Sequence, residues 1–411
     1  MIQFEAFELN NGLKVFVHED PFTTTAAFNL CYNVGSRDES EDKTGFAHLF
    51  EHLMFGGSEH IPVFDLPLQK VGAQNNAFTS PDITNYYITL PAENLETAFW
   101  IESDRMKALS FDQKVLDVQK KVVIEEFKER YLNQPYGDVW LNLRPLAYKV
   151  HPYKWATIGK EIAHIEQATM SDVREFFYSH YLPNNATLVV GGNVKVKDVE
   201  RLARKWFDDI PMGNKKQRNL PKEPIQTQKR SLDLERDVPT NALYVAFPVP
   251  AKYQAGYFEA DLISDMLGKG NSSRLYQRLV LDKKLCNTIS AFQMGSLDPG
   301  LMVIGATLAD KASFENVETQ IREVLDEFRK ENIGIDELEK NKIQIKASEG
   351  FSDIDVLNRT MKIAFAANAG FIDMLNGEEE EINKISVDDI KHKVNHILEE
   401  SKSNTLRYGK F

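Results

Sequence analysis

His48, Glu51 and His52 fall within an otherwise apolar run, HLFEHLMFGG at 48–57. In a helix, side chains at i, i+3 and i+4 share a face, so the three would point the same way about one turn apart. Two imidazoles at that spacing suit a divalent cation. A catalytic zinc takes three protein ligands and keeps a fourth position open for water, so the pair needs a third partner. Without one, the run reads as two ordinary histidines beside an exposed glutamate.

The stretch FDQKVLDVQKKVVIEEFKER at 111–130 supplies candidates. At about 100° per residue, Val115, Leu116, Gln119, Val122, Val123, Glu126 and Phe127 form one stripe of a helix. Glu126 falls near the middle of that apolar face, where an unpaired carboxylate is costly; a bound zinc would pair it and keep it ionised. Glu126 is thus the expected third ligand, with Glu129 one turn further on as the alternative. Gln119, two turns before Glu126, has a position from which to hydrogen-bond a ligand, or to make an ordinary amide contact between helices.

The elements that must position these groups are mixed. LKVFVH at 13–18 and AFNLCYNV at 27–34 read as paired strands. Helical stretches follow at 93–109, 111–131 and 170–180, and NATLVVGGNV returns to a strand. Around 210–230 the chain turns polar and basic with three prolines, as a solvated linker does. Beyond it the order recurs: a strand at 241–249, a helix ending in DMLGKGNSS, strands near 288–308, long helices, then SNTLRYGK. This suggests an internal duplication, matching EHLMFGGS to DMLGKGNSS and NNATLVVGG to SNTLRYGK, with no histidine pair in the second copy. GKGNSS lacks the spacing of a phosphate loop and reads as a helix-ending turn, and Glu378–Glu381 as a solvated loop or helix start.

At 411 residues, two or three folding units are expected: a catalytic domain at 1–212, a linker at 213–230 and a related domain without a metal site at 231–411. The 42% apolar and 27% charged fractions are those of a globular chain. A formal charge of −12 argues against nucleic acid or an anionic membrane as partner. Cys31 and Cys286 sit in apolar settings as small buried hydrophobes. With no leader pattern and no apolar run of the roughly 20 residues that span a bilayer, the expected location is cytoplasmic.

H-x-x-E-H with a distal glutamate resembles the pitrilysin and insulinase family of zinc metallopeptidases. The resemblance extends through GAQNNAFTSPDITNYYITLP (72–91), VVIEEFKER (122–130), HPYKWATIG (151–159) and YLPNNATLVVGGNV (181–194), and more weakly through GKGNSSRLYQRL (268–279). It implies an α+β fold of two related α/β-roll domains, each a mixed, largely antiparallel sheet with helices packed on it, facing each other across a cavity. It implies one Zn2+ per chain on His48, His52 and Glu126, with Glu51 as the base that activates water for hydrolysis of an extended peptide. Asn76 and Ala77 fall on the edge strand where such a substrate would add. Active members often use an Arg and a Tyr from the second domain; here Met302 stands about where the arginine would be, so a homodimer, or a heterodimer with a sibling subunit supplying the pair, is expected. The alternative is a non-catalytic structural or binding subunit.

Overall fold

The computed structural model describes residues 1–330 and 333–411. They form two compact units, and the chain passes between them more than once. The first unit takes Met1–Lys128, Trp155–Leu220 and Gly350–Asn376; the second takes Glu129–Lys154, Pro221–Glu349 and Gly377–Phe411. The continuous division at 1–212 and 231–411 is therefore replaced by an exchange of segments. Composition marks a solvated coil, and residues 211–229 indeed carry no helix or strand, but it holds no record of which sheet a later helix will cover.

Six strands build the first sheet: β1 (Glu5–Glu8), β2 (Lys14–Glu19), β3 (Thr25–Tyr32), β4 (Gln74–Thr79), β5 (Thr84–Pro91) and β6 (Ala186–Gly192), in the spatial order β1-β2-β6-β3-β5-β4. Only β2 and β6 run parallel; every other neighbouring pair is antiparallel. The expectation that β2 and β3 pair directly is corrected. β6, buried along its whole length, lies between them, and a partner about 150 residues away leaves no mark on local turn signals.

The second sheet consists of β7 (Arg230–Glu235), β8 (Ala242–Val249), β9 (Cys286–Met294), β10 (Gly300–Leu308) and β11 (Asn404–Gly409), ordered β7-β11-β8-β10-β9. Its one parallel pair is β7 with β11. Setting β1 aside, the first sheet has the same connectivity, with β2, β6, β3, β5 and β4 in those places. The fold is thus α+β with two sheets of one design, and the pairing of NNATLVVGG with SNTLRYGK corresponds to β6 and β11.

Alternation along the central strands explains the layers. In β3, Phe28 packs edge-on against Phe99 of the helix Leu95–Lys107, at 5.0 Å between ring centres. The next residues point the other way: Cys31 lies with Ile363 and Ala364 of the helix Val356–Ala369, and the Asn29 amide donates to Thr360 Oγ1 at 2.6 Å. In β8, Leu243, Val245 and Phe247 face a core with the helices Tyr257–Gly268, Phe314–Lys330 and Val387–Ile397. Ala242 and Ala246 face Val139, Leu143 and Ala147 of the helix Val139–Ala147. Each sheet therefore has one face closed by a helix that belongs, by sequence, to the other half. GKGNSS follows the end of a helix at Gly268, and Glu378–Glu381 begins the helix Glu378–Lys384. Among the described residues, no helix is long and apolar enough to cross a membrane.

Candidate metal centre

His48, Glu51 and His52 lie on the eight-residue helix Phe46–Leu53. Its opposite face is core: Phe46, Ala47, Leu49, Phe50 and Leu53 are buried, with Phe50 stacked on Phe176 at 4.9 Å between ring centres. The helix starts from Gly45, whose φ of +87° is left-handed and where a Cβ would stand 2.6 Å from the Ile158 carbonyl oxygen. A side chain is excluded twice over. The second unit's helix Tyr257–Gly268 is entered the same way, from Gly256 at φ 91°, ψ 4° against 87° and 4° for Gly45.

Glu126 is on the helix Gln113–Phe127. The stripe expected there is narrower than the spacing suggests. Leu116, Val123 and Phe127 are buried, but Val122 is 44% exposed. Glu126 therefore sits at the edge of the buried arc rather than its middle, since it is turned about 80° from the line through those three. From that edge its Oε2 comes to 3.3 Å from His52 Nε2 and 3.7 Å from His48 Nε2. One ligand atom from each residue lies within 4.8 Å of the others, and no other group of three His, Cys, Asp or Glu among the described residues does this. Two donors each 2.0–2.1 Å from a tetrahedral ion are separated by about 3.3 Å. The imidazole and carboxylate donor set and these separations fit a zinc ion. The side chains are 13, 24 and 16% exposed for His48, His52 and Glu126, partly open as a position for water requires.

Glu51 lies on the same helix but outside this cluster. Its Oε2 accepts a 2.6 Å hydrogen bond from Thr79 Oγ1 on β4. Burial raises its pKa above the usual carboxylate range, with the Thr79 bond pulling the other way. Asn76 and Ala77 are on β4, one of the two edge strands of the sheet; the Ala77 N–H donates to Asn76 Oδ1 at 2.8 Å. The structure brings His48, His52 and Glu126 together. Glu129 is not in the group; it lies in the π-helical turn Lys128–Leu132. Gln119 is half-buried, and no hydrogen bond links it to the three among the described residues.

Three supporting residues escape a reading of the sequence. Thr79 is one, found only through its contact with Glu51. Glu39 is another: its buried carboxyl accepts the Gly45 N–H on Oε2 at 2.9 Å and the Ala47 N–H on Oε1 at 2.8 Å, the first donors of the metal-site helix. Burial pushes this carboxyl up to about 8 while the two N–H groups pull it down; in either protonation state each oxygen keeps a lone pair for its donor. The third is Arg105, which is 1% exposed. It pairs with Glu102 through two hydrogen bonds of 2.8 and 2.6 Å, lies over the Tyr86 and Phe64 rings and donates to the Met54 carbonyl at 3.4 Å.

Residues 14–159 match the family described as Insulinase (Peptidase family M16), and residues 167–345 match Peptidase M16 inactive domain. The chain is similar to zinc protease PqqE of Helicobacter pylori, 31% identical over 84% of this chain and 78% of that one. It is similar also to mitochondrial-processing peptidase subunit beta of Saccharomyces cerevisiae, 24% identical over 98% and 90% of the two chains. Among solved structures, a protease from Helicobacter pylori superposes with a TM-score of 0.93 at 27% identity, covering 99% of this chain and 100% of that one. The peptidase M16 inactive domain from Pseudomonas fluorescens, at 17% identity, shares the fold with a TM-score of 0.89 over 100% and 98%. The chain belongs to the insulinase family of peptidases, family M16.

Proposed function

We propose that the protein is a zinc-dependent endopeptidase acting on extended peptides. The observation that carries this reading is the approach of His48 Nε2, His52 Nε2 and one Glu126 carboxylate oxygen, with a second carboxyl, Glu51, one turn away and not among them. These three residues would hold one Zn2+ per chain. When bound, the ion supplies a Lewis acid for the scissile carbonyl and lowers the pKa of water toward neutrality.

The chain's own groups do the rest. Glu51 Oε1 and Oε2 are the proton carriers: the carboxylate takes the proton of the attacking water and returns it to the leaving amine. Thr79 fixes the rotamer by donating to Oε2, and partial burial favours the protonated form that the second step needs. An extended substrate adds to the open edge of β4 at Asn76 and Ala77 through main-chain hydrogen bonds, displacing the Asn76 side chain from the Ala77 N–H.

Met302 is wholly buried in β10, so it presents no substrate donor. A second copy of this chain would bring the same Met302, so this supports a sibling subunit that supplies the arginine and tyrosine; the name of the yeast relative as a beta subunit points the same way. The test is Glu51→Gln. Zinc content should stay at one per chain while kcat falls by roughly a thousandfold or more. Retained turnover would remove Glu51 from its role, and absence of zinc from the unaltered chain would favour a binding subunit instead.

A further inference from the structure

The helix bearing both histidines is two turns long, too short to hold its form without tertiary support. Its first turn presents N–H groups with no intrahelical acceptor. Glu39, reaching from the loop before it, meets two of them at once, one per carboxylate oxygen. The loop is itself tied down, because the Trp155 indole N–H donates to the Ser36 carbonyl at 2.9 Å. At the other end, the Arg105 guanidinium donates to the carbonyl of Met54, the residue that ends the helix. Each contact meets a backbone group that the helix itself leaves open, with an acceptor at the amino end and a donor at the carboxyl end.

The structure assigns Glu39 and Arg105 as positioning residues that clamp the metal-site helix at its two ends and set the His48 and His52 geometry before any ion arrives. This rests on the zinc reading of the site. Neither residue belongs to the donor group, and both act through the helix backbone.

The full-length chain is stripped of metal, and zinc affinity is measured by competition with a chromophoric chelator. Visible absorption of the cobalt(II)-loaded protein reports coordination geometry. Glu39→Gln leaves one acceptor oxygen for two donors and is expected to weaken zinc binding tenfold or more and to perturb the cobalt bands. Arg105→Lys, which keeps the charge but loses the forked reach, is expected to weaken it severalfold. Leu202→Ala, in the helix Val196–Phe207 of the same unit, lowers stability without touching the clamp and should leave zinc affinity and the cobalt spectrum as they are. Affinities within twofold of the unaltered chain for both clamp variants would overturn the assignment, as would an equal loss in Leu202→Ala.

Hydrogen exchange on the unaltered, metal-free chain decides the matter independently of how the variants fold. The Gly45 and Ala47 amides should be as protected without zinc as with it; exchange at unfolded-chain rates until zinc is added would sink the clamp. If the unaltered chain binds no zinc, the peptidase reading fails, while the exchange rates still report whether the helix is held.

Discussion

Glu39 and Glu51 sit twelve positions apart in one stretch and meet opposite fates: one carboxyl is spent on the N–H groups of the metal-site helix, the other stays beside the donor group and is held by Thr79. The difference is one of neighbours, not of residue type. The histidines and Glu51 were legible because i, i+3 and i+4 is a local pattern, and Glu126 because a carboxylate on an apolar stripe needs an explanation. Glu39, Thr79 and Arg105 were not, since each reaches the site through a contact that no periodicity encodes. His180 shows the same dependence on context. Burial beside the Phe176 ring, with Lys216 and Arg218 adding to it and Asp38 opposing, lowers its pKa to about 4. The folded ring stays neutral where the unfolded one takes a proton. Its contribution is therefore complete above pH 6.5 and lost as pH falls toward 4, on the order of 3 kcal/mol. Urea unfolding across that window should show the decline, and His180→Phe should flatten it; an unchanged slope would count against this account.

At the scale of elements, strands and helices were read at nearly their observed places, while their neighbours were not. β2 and β3 are close in sequence, yet β6 separates them. The stripe on Gln113–Phe127 was drawn too wide because period alone does not say how broad the packed arc will be. The helix Val356–Ala369 packs closely on β6. A Cβ on Gly191 would stand 2.4 Å from Thr360 Cγ2, so this glycine lets helix and strand approach. Gly191→Ala should overpack that contact and cost about 1–3 kcal/mol, read as a lower urea midpoint with an unchanged slope. A neutral result would mean that the helix can shift away freely.

For the whole molecule, the duplication was visible in the order of elements, and both sheets share one connectivity. The central division, between Leu220 and Pro221, falls inside the expected linker, but two helices are exchanged between the halves, and a sequence read from left to right assigns each helix to the nearer sheet. Function also belongs to this scale. With Met302 buried, the chain alone is expected to cleave a mixed peptide library slowly. Addition of a sibling subunit should raise kcat/KM at least tenfold, and chelation should abolish both activities. Full activity from a monomer, shown by light scattering, would remove the need for a donated pair.

The exchanged helices carry a consequence for biosynthesis. A nascent chain that has emerged only as far as the coil at 211–229 has its histidines and Glu126, yet Val356–Ala369, which covers one face of its first sheet, has not been translated. That face stays bare on the ribosome until residue 369 has been made. The amino-terminal half is thus no autonomous module, and it waits for its last helix before the metal-site unit is whole.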